Sequence, residues 1–166
     1  MAAPAGPDPR DIRLVVFDVD GVLTDGRLYF LPDGTELKVF HVRDGLGIRR
    51  LREAGIEVAV ISGRESPLVV RRMQSLGVEH VHQGSDDKLS VFHALLTELQ
   101  LAPEQTACVG DDVLDLPVMR AAGLGVAVAD AHPEVRAAAD WVTRLEGGRG
   151  AAREVCDRLL AARHGD

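Results

Sequence analysis

The chain has 166 residues, 46% of them apolar and 27% charged, so it has the size and composition of one soluble domain with its own core, and disorder is excluded for its bulk. A net charge of −7, no basic block and only 4% aromatics argue against a nucleic-acid partner. Two cysteines, Cys108 and Cys156, make no disulfide framework, and no apolar run approaches a membrane span, so a reduced, cytoplasmic setting without membrane contact is expected.

Residues 1–10 are rich in Ala, Pro and Gly and read as a flexible N-terminal tail. They lack the basic stretch and apolar run of a secretory signal. Residues 14–17 (LVVF) form a β-rich run that ends at Asp18. Residues 27–31 and 36–40 flank Pro32-Asp33-Gly34, a turn signal, and predict a small β-hairpin flap over about 27–40. A helix is expected over 44–54, stopped by Gly55, then a strand over 57–61 (EVAVI) that ends at Ser62-Gly63. Ser66 is an N-cap candidate with Pro67 at the first helical position, and that helix stops at Gly77. A weaker strand covers 78–82 and a helix 86–100, before Pro103. Residues 106–109 (TACV) form a strand ending at Gly110-Asp111-Asp112, and a short helix covers 116–122. Strands over 124–129 and 141–143 and a helix over 151–163 complete the set.

Apolar strands alternating with helices predict an α/β fold with a doubly wound, mostly parallel sheet. The expected organisation is a tail (1–10), one domain (11–146), and a Gly-rich hinge with a helical tail (147–166).

In such sheets ligands bind beyond the carboxyl ends of the strands. The polar residues expected there are Asp18 and Asp20, then Ser62, Gly63 and Arg64, then 83–88, then Asp111, Asp112 and Asp115. Two carboxylates two residues apart can enter one crevice, with Gly21 turning the chain away. A plain capped loop is the competing reading. A calcium loop counted from Asp18 fails, because its sixth and twelfth positions are Leu23 and Tyr29.

Asp111 and Asp112 supply a second acid pair suited to Mg²⁺, with helix capping as the alternative. Lys88 is either solvated or aimed at an anion near the start of its helix. Ser62-Gly63 offers a hydroxyl and amides suited to phosphoryl oxygens. Together these groups form a phosphoryl-transfer site, in which Asp18 attacks phosphorus and Asp20 acts as acid and then base.

Other signals are weak. Gly45-Leu46-Gly47 lacks the third glycine of a dinucleotide fingerprint, and no Walker sequence occurs. His80 and His82 lack a third zinc ligand nearby. Cys108 and Trp141 read as packing residues.

The ordered set DVDGVLTDG (18–26), SGR (62–64), Lys88 and GDDVLDLPVM (110–119) resembles the haloacid dehalogenase phosphatase superfamily. KVFHVRDGLGI (38–48), VAVADAHPEV (126–135) and GGRGAAREVCDRLL (147–160) narrow the resemblance to its phosphatases of 2-keto sugar-acid phosphates, over about residues 11–162. The resemblance implies a Rossmann-like fold without a large cap, a homotetramer, and a role in making the acidic sugar of lipopolysaccharide. The implied reaction is Mg²⁺-dependent hydrolysis of 3-deoxy-D-manno-octulosonate 8-phosphate through an aspartyl-phosphate.

It further implies Asp18 as nucleophile and metal ligand, Asp20 as acid/base with its backbone carbonyl on Mg²⁺, and Asp111 as the remaining metal ligand. Asp112 and Asp115 support these, and Ser62, Gly63 and Lys88 hold phosphate. Arg43, Asp44, Gly45, Arg64 and Arg72 are candidates for the sugar acid or its surroundings, with surface pairing as the alternative for Arg72. The resemblance also implies that neighbouring subunits replace the missing cap, with the hairpin in assembly and the C-terminal tail reaching an adjacent site. The nearest rival is a nonulosonate 9-phosphate phosphatase. A phosphate-accepting receiver module is a more distant one, because there the acid pair precedes the acceptor.

Overall fold

The computed structural model describes residues 8–165. Its centre is a six-stranded parallel sheet built from β1 (Leu14–Phe17), β4 (Glu57–Ile61), β5 (His80–His82), β6 (Thr106–Gly110), β7 (Leu124–Ala127) and β8 (Trp141–Val142), in the order β5-β4-β1-β6-β7-β8. The chain winds one way from β1 to β5 and the other way from β6 to β8, so the strand order reverses between β1 and β6. That reversal opens a crevice at the carboxyl ends of the strands. Every side chain of β1 and β6 is buried, as expected for strands covered on both faces.

Helices α1 (Val42–Glu53), α2 (Pro67–Ser75) and α6 (Ala151–His164) cover one face, where α1 packs on α6 and α2 lies against α1. Helices α3 (Lys88–Leu99), α4 (Leu116–Ala121) and α5 (Pro133–Ala138) line up along the other. This division follows from right-handed crossovers in a sheet that winds both ways. The doubly wound α/β class expected from the sequence is the class observed, with no large cap.

The hairpin is smaller than the sequence suggested. β2 (Tyr29–Phe30) and β3 (Glu36–Leu37) pair antiparallel over two residues each. One helix, α5, is absent from the sequence reading. It has six residues, fewer than two turns, and so carries little periodicity. His132 caps it and Pro133 opens it. Of the expected tail, 1–7 lie outside the described residues. Asp8 instead caps a 3-10 turn over Pro9–Asp11, accepting from the Arg10 amide.

In the segment expected as a Gly-rich hinge and helical tail, the helix packs on the domain. The apolar stripe of α6 (Val155, Cys156, Leu159, Leu160) is buried in the common core. At about 1.5–3 kcal/mol for each large buried apolar side chain, that stripe is comparable to a domain's whole net stability. Helix α6 is therefore part of the domain and not a detachable arm. The preceding glycines run along the loop after β1: Gly148 N–H donates to the Val22 carbonyl at 2.9 Å, and Gly147 N–H to Asp130 Oδ1 at 2.9 Å. Gly148 has φ +69°, and a Cβ there would overlap the backbone of Thr24 and Asp25.

Candidate active site

The sheet register determines which residues meet. Phe17 pairs with Val60 on one side and Val109 on the other, so Asp18, Ser62 and Asp111 leave the sheet at one rim. Lys88 reaches the same rim as the first residue of α3, behind the cap Asp87.

Lys88 is 7% exposed, and its Nζ donates to Asp18 Oδ1 at 2.9 Å and to Asp115 Oδ1 at 2.7 Å. The solvated alternative for this lysine is thereby excluded. Asp115 is 4% exposed and uses both oxygens, since its Oδ2 accepts the amides of Asp111 (3.0 Å) and Asp112 (3.3 Å). It thus ties the loop after β6 to Lys88. Asp112 is exposed and caps the turn Val113–Asp115 by accepting from the Val113 amide at 2.7 Å.

Side-chain oxygens of Asp18, Asp111 and Asp115 all lie within 4.8 Å of one another. Burial first, and then the Asp115 charge, push the Asp18 carboxyl above the ordinary carboxylate range, with Lys88 opposing. Burial and then the Asp18 and Asp115 charges raise Asp111 in the same direction. Burial alone would lower the Lys88 ammonium, but the charges of Asp18 and Asp115 reverse that and raise it. When ionised, three carboxylates against one lysine carry a charge of −2 in a buried corner, which is the deficit that one divalent cation fills and the reason two of them are raised without it.

The Asp111 carboxylate faces those of Asp18 and Asp115, so its oxygens lie where a metal shared by the three would bind. Gly21 makes room for it, because a Cβ at that position would overlap the Asp111 carboxylate, and its φ of +93° also favours glycine. These hard oxygens fit Mg²⁺. The side-chain cluster brings Asp115 beside Asp18 and Asp111, while Asp20, expected on the metal only through its backbone carbonyl, turns its carboxylate to Lys38.

Asp20 Oδ1 instead accepts from Lys38 Nζ at 2.6 Å, with Arg64 Nη1 at 3.7 Å. Glu36 completes the group, 3.3 Å from Lys38 and bound through both oxygens by Arg64 at 3.0 and 3.3 Å. The sequence reading did not single out Lys38 and Glu36. The signal was present in the alternation of the hairpin strand, where 36, 38 and 40 turn inward while Leu37 and Val39 are exposed. Ser62 is buried at the end of β4. A Cβ on Gly63 would meet only the Ser85 carbonyl at 3.8 Å, so the protein leaves open space beside this backbone, as a phosphoryl oxygen would require.

Of the five residues expected near the sugar acid or its surroundings, four make contacts with groups outside the carboxylate cluster. Asp44 is buried and its Oδ1 accepts the Arg153 amide at 2.9 Å, so it caps the first turn of α6. Burial raises its carboxyl. Gly45 is packed under Arg72, whose guanidinium a Cβ would overlap. Arg43 lines a groove of about 960 Å³ with Trp141, Arg149, Arg153 and Arg158, and that groove includes no member of the carboxylate cluster. Arg64 alone of the five reaches Asp20.

A phosphoryl-transfer hydrolase is the class that this fold and this carboxylate–lysine rim define, and the chain belongs to the haloacid dehalogenase-like hydrolases, whose family pattern it matches over residues 80–154. It is 56% identical over 153 residues to the 3-deoxy-D-manno-octulosonate 8-phosphate phosphatase KdsC of Escherichia coli K12, covering 92% of this chain and 81% of that one. The crystal structure of the Yersinia pestis phosphatase of the same name superposes with a TM-score of 0.93 at 52% identity, covering 95% of this chain and 85% of that one. The Moraxella catarrhalis phosphatase, solved with magnesium, phosphate and KDO, superposes with a TM-score of 0.93 at 42% identity, covering 95% and 91%.

Proposed function

We propose that this chain is a Mg²⁺-dependent phosphatase that hydrolyses 3-deoxy-D-manno-octulosonate 8-phosphate to the sugar acid and inorganic phosphate. The observation that carries the chemistry is Lys88 held between Asp18 and Asp115 with the Asp111 carboxylate beside them. The substrate follows from 56% identity to phosphatases of that name. The same identity favours the 8-phosphate over a nonulosonate 9-phosphate. The family, together with an acid pair that follows Lys88, favours an enzyme over a receiver module.

In this reading Asp18, Asp111 and the Asp20 backbone carbonyl hold Mg²⁺, with Asp115 and Asp112 supporting. When bound, the ion offsets the negative charge shared by nucleophile and phosphate. Lys88, Ser62 and the Gly63 amide hold the phosphoryl oxygens. Asp18 attacks phosphorus, and the ester oxygen departs with a proton from Asp20. Water then attacks the aspartyl-phosphate while Asp20 takes its proton, releasing phosphate and restoring Asp18. Arg64, which approaches Asp20, is the first candidate for the sugar acid, with Arg43, Asp44, Gly45 and Arg72 proposed for it or its surroundings.

Leu28, Phe30, Val39 and Val42 are all more than half exposed on and beside the hairpin, and this supports self-association, with a homotetramer as the proposed assembly. A cytoplasmic setting is supported by the two free, buried cysteines. Among the described residues no helix is long and apolar enough to cross a membrane. The place proposed for the reaction is the supply of the acidic sugar of lipopolysaccharide.

The test is phosphate release from the 8-phosphate and 9-phosphate acids with Mg²⁺, using Asp18→Asn as control. A higher kcat/KM on the 8-phosphate and a dead variant are expected. A preference for the 9-phosphate would overturn the substrate, and a variant above a tenth of wild-type kcat would overturn the nucleophile.

A further inference from the structure

The ammonium of Lys38 lies in a site built to hold it. Its side chain is 4% exposed, and a lysine that dry needs carboxylate partners. It has two, Asp20 at 2.6 Å and Glu36 at 3.3 Å, and Arg64 closes the group by binding Glu36 and approaching Asp20. Two acids and two bases balance to zero charge, so the group is electrostatically complete without a further ion. It joins the hairpin, which carries Glu36 and Lys38, to the loop after β1, which carries Asp20.

The two oxygens of Asp20 are inequivalent. Lys38 occupies Oδ1, and Arg64 approaches the same atom. Oδ2 accepts no hydrogen bond from the described residues. A part-exposed carboxylate that nothing holds rotates about its last torsion, and a group that must exchange a proton through a particular oxygen loses rate when it does. A short bond to Oδ1 from a buried, immobile ammonium removes that freedom and leaves Oδ2 to exchange the proton.

We propose that Lys38 is a positioning residue for phosphoryl transfer, acting through Asp20, and that the hairpin is thereby part of the acid/base machinery of its own subunit. The inference rests on the reading of Asp20 as acid/base. In the first step the bond from phosphorus to the ester oxygen breaks as the bond from Asp18 forms, and the proton on Asp20 moves to the departing oxygen. In the second, water bonds to phosphorus, its proton moves to Asp20 and the Asp18–phosphorus bond breaks. Lys38 touches neither phosphorus nor either leaving oxygen.

A lysine that merely pins the hairpin and one that positions the acid differ in their response to the leaving group. An alkoxide needs a proton to depart, whereas a nitrophenolate does not. Because kcat/KM reports the steps through phosphoenzyme formation, it isolates the step in which Asp20 is the acid. The experiment compares wild type, Lys38→Met and Lys38→Arg on p-nitrophenyl phosphate and on glycerol phosphate, a simple alkyl ester without a carboxylate, with octulosonate 8-phosphate as a third substrate.

Lys38→Met is expected to lose at least about tenfold in kcat/KM on the alkyl esters, a part of the 10²–10⁴ that general acid–base catalysis supplies. On the aryl ester it is expected to stay within about threefold of wild type. Lys38→Arg, which keeps the cation, is expected to recover most of the loss. Equal losses on both ester types, no loss on either, or an arginine variant as poor as the methionine one would overturn the proposal. So would a loss on octulosonate 8-phosphate alone, which would make Lys38 a substrate contact. If Lys38→Met fails to fold, the arginine variant carries the test alone, and a tenfold or greater loss shared equally by alkyl and aryl esters overturns the idea. Wild type inactive on octulosonate 8-phosphate would overturn the proposed substrate and leave the alkyl–aryl comparison standing.

Discussion

Replacing Lys88 by methionine keeps most of the side-chain volume and removes only the ammonium. In the folded protein that ammonium sits 2.9 Å from Asp18 and 2.7 Å from Asp115, all three side chains being largely withdrawn from water. At an effective dielectric of about 20, each contact corresponds to about 6 kcal/mol of gross attraction, most of it offset by the cost of desolvating the ions. Removing the cation alone leaves the carboxylates desolvated and facing each other, and breaking a buried pair in this way costs about 3–5 kcal/mol.

The cost has a ceiling, since a carboxylate that becomes too unfavourable takes up a proton, at about 1.4 kcal/mol per pH unit above its raised pKa. Lys88→Met is therefore expected to lose about 3–5 kcal/mol at about pH 8 without metal, near 10 °C in Tm for a domain of this size, and distinctly less at about pH 5. Mg²⁺ should restore part of the loss. Urea denaturation at the two pH values, with and without Mg²⁺, gives the comparison. A cost below about 1 kcal/mol at the higher pH, or one that does not change with pH, would show that the three charges are not coupled as the geometry requires.

Metal linkage should carry the same sign. Asp18 and Asp111 are raised in the folded protein, so the stability they contribute is full below the unfolded carboxylate value of about 4 and is lost as pH rises through their folded values. A divalent cation cancels that loss, so the Mg²⁺-induced rise in Tm should be larger at about pH 8 than at about pH 5, and titration calorimetry should find protons released on binding. A larger rise at the lower pH would contradict the assignment of these carboxylates to the metal. Gly148→Ala should cost at least about 1–2 kcal/mol from its left-handed backbone, and more from overlap with Thr24 and Asp25. Because Gly148 also holds the Val22 carbonyl, kcat should fall alongside Tm, and a variant with wild-type values of both would remove the glycine strap from the account.

Local chemistry determined much of this molecule. Apolar runs such as LVVF and EVAVI, each ended by a polar residue, specify strands buried on both faces, and the end of such a strand places Asp18, Ser62 and Asp111 at the rim without reference to the rest of the chain. Pro67 behind Ser66, and Gly55 and Gly77 behind their helices, set boundaries for the same local reason. Helix α5, at six residues, was too short for its period to register.

What met what was decided in three dimensions. Lys88 lies 70 residues from Asp18 and 27 from Asp115, and the three meet only because β1 and β6 run parallel in register and α3 starts at the same rim. Period and composition cannot say that Asp44 would cap α6, 109 residues away, or that Gly45 would pack against Arg72. Those outcomes depend on which helix faces another, and a helical stripe states that a face is buried without stating against what. The same holds for Lys38. Its alternation with Leu37 marks an inward position on the hairpin, but that the inward side holds Asp20 is a property of the folded chain alone.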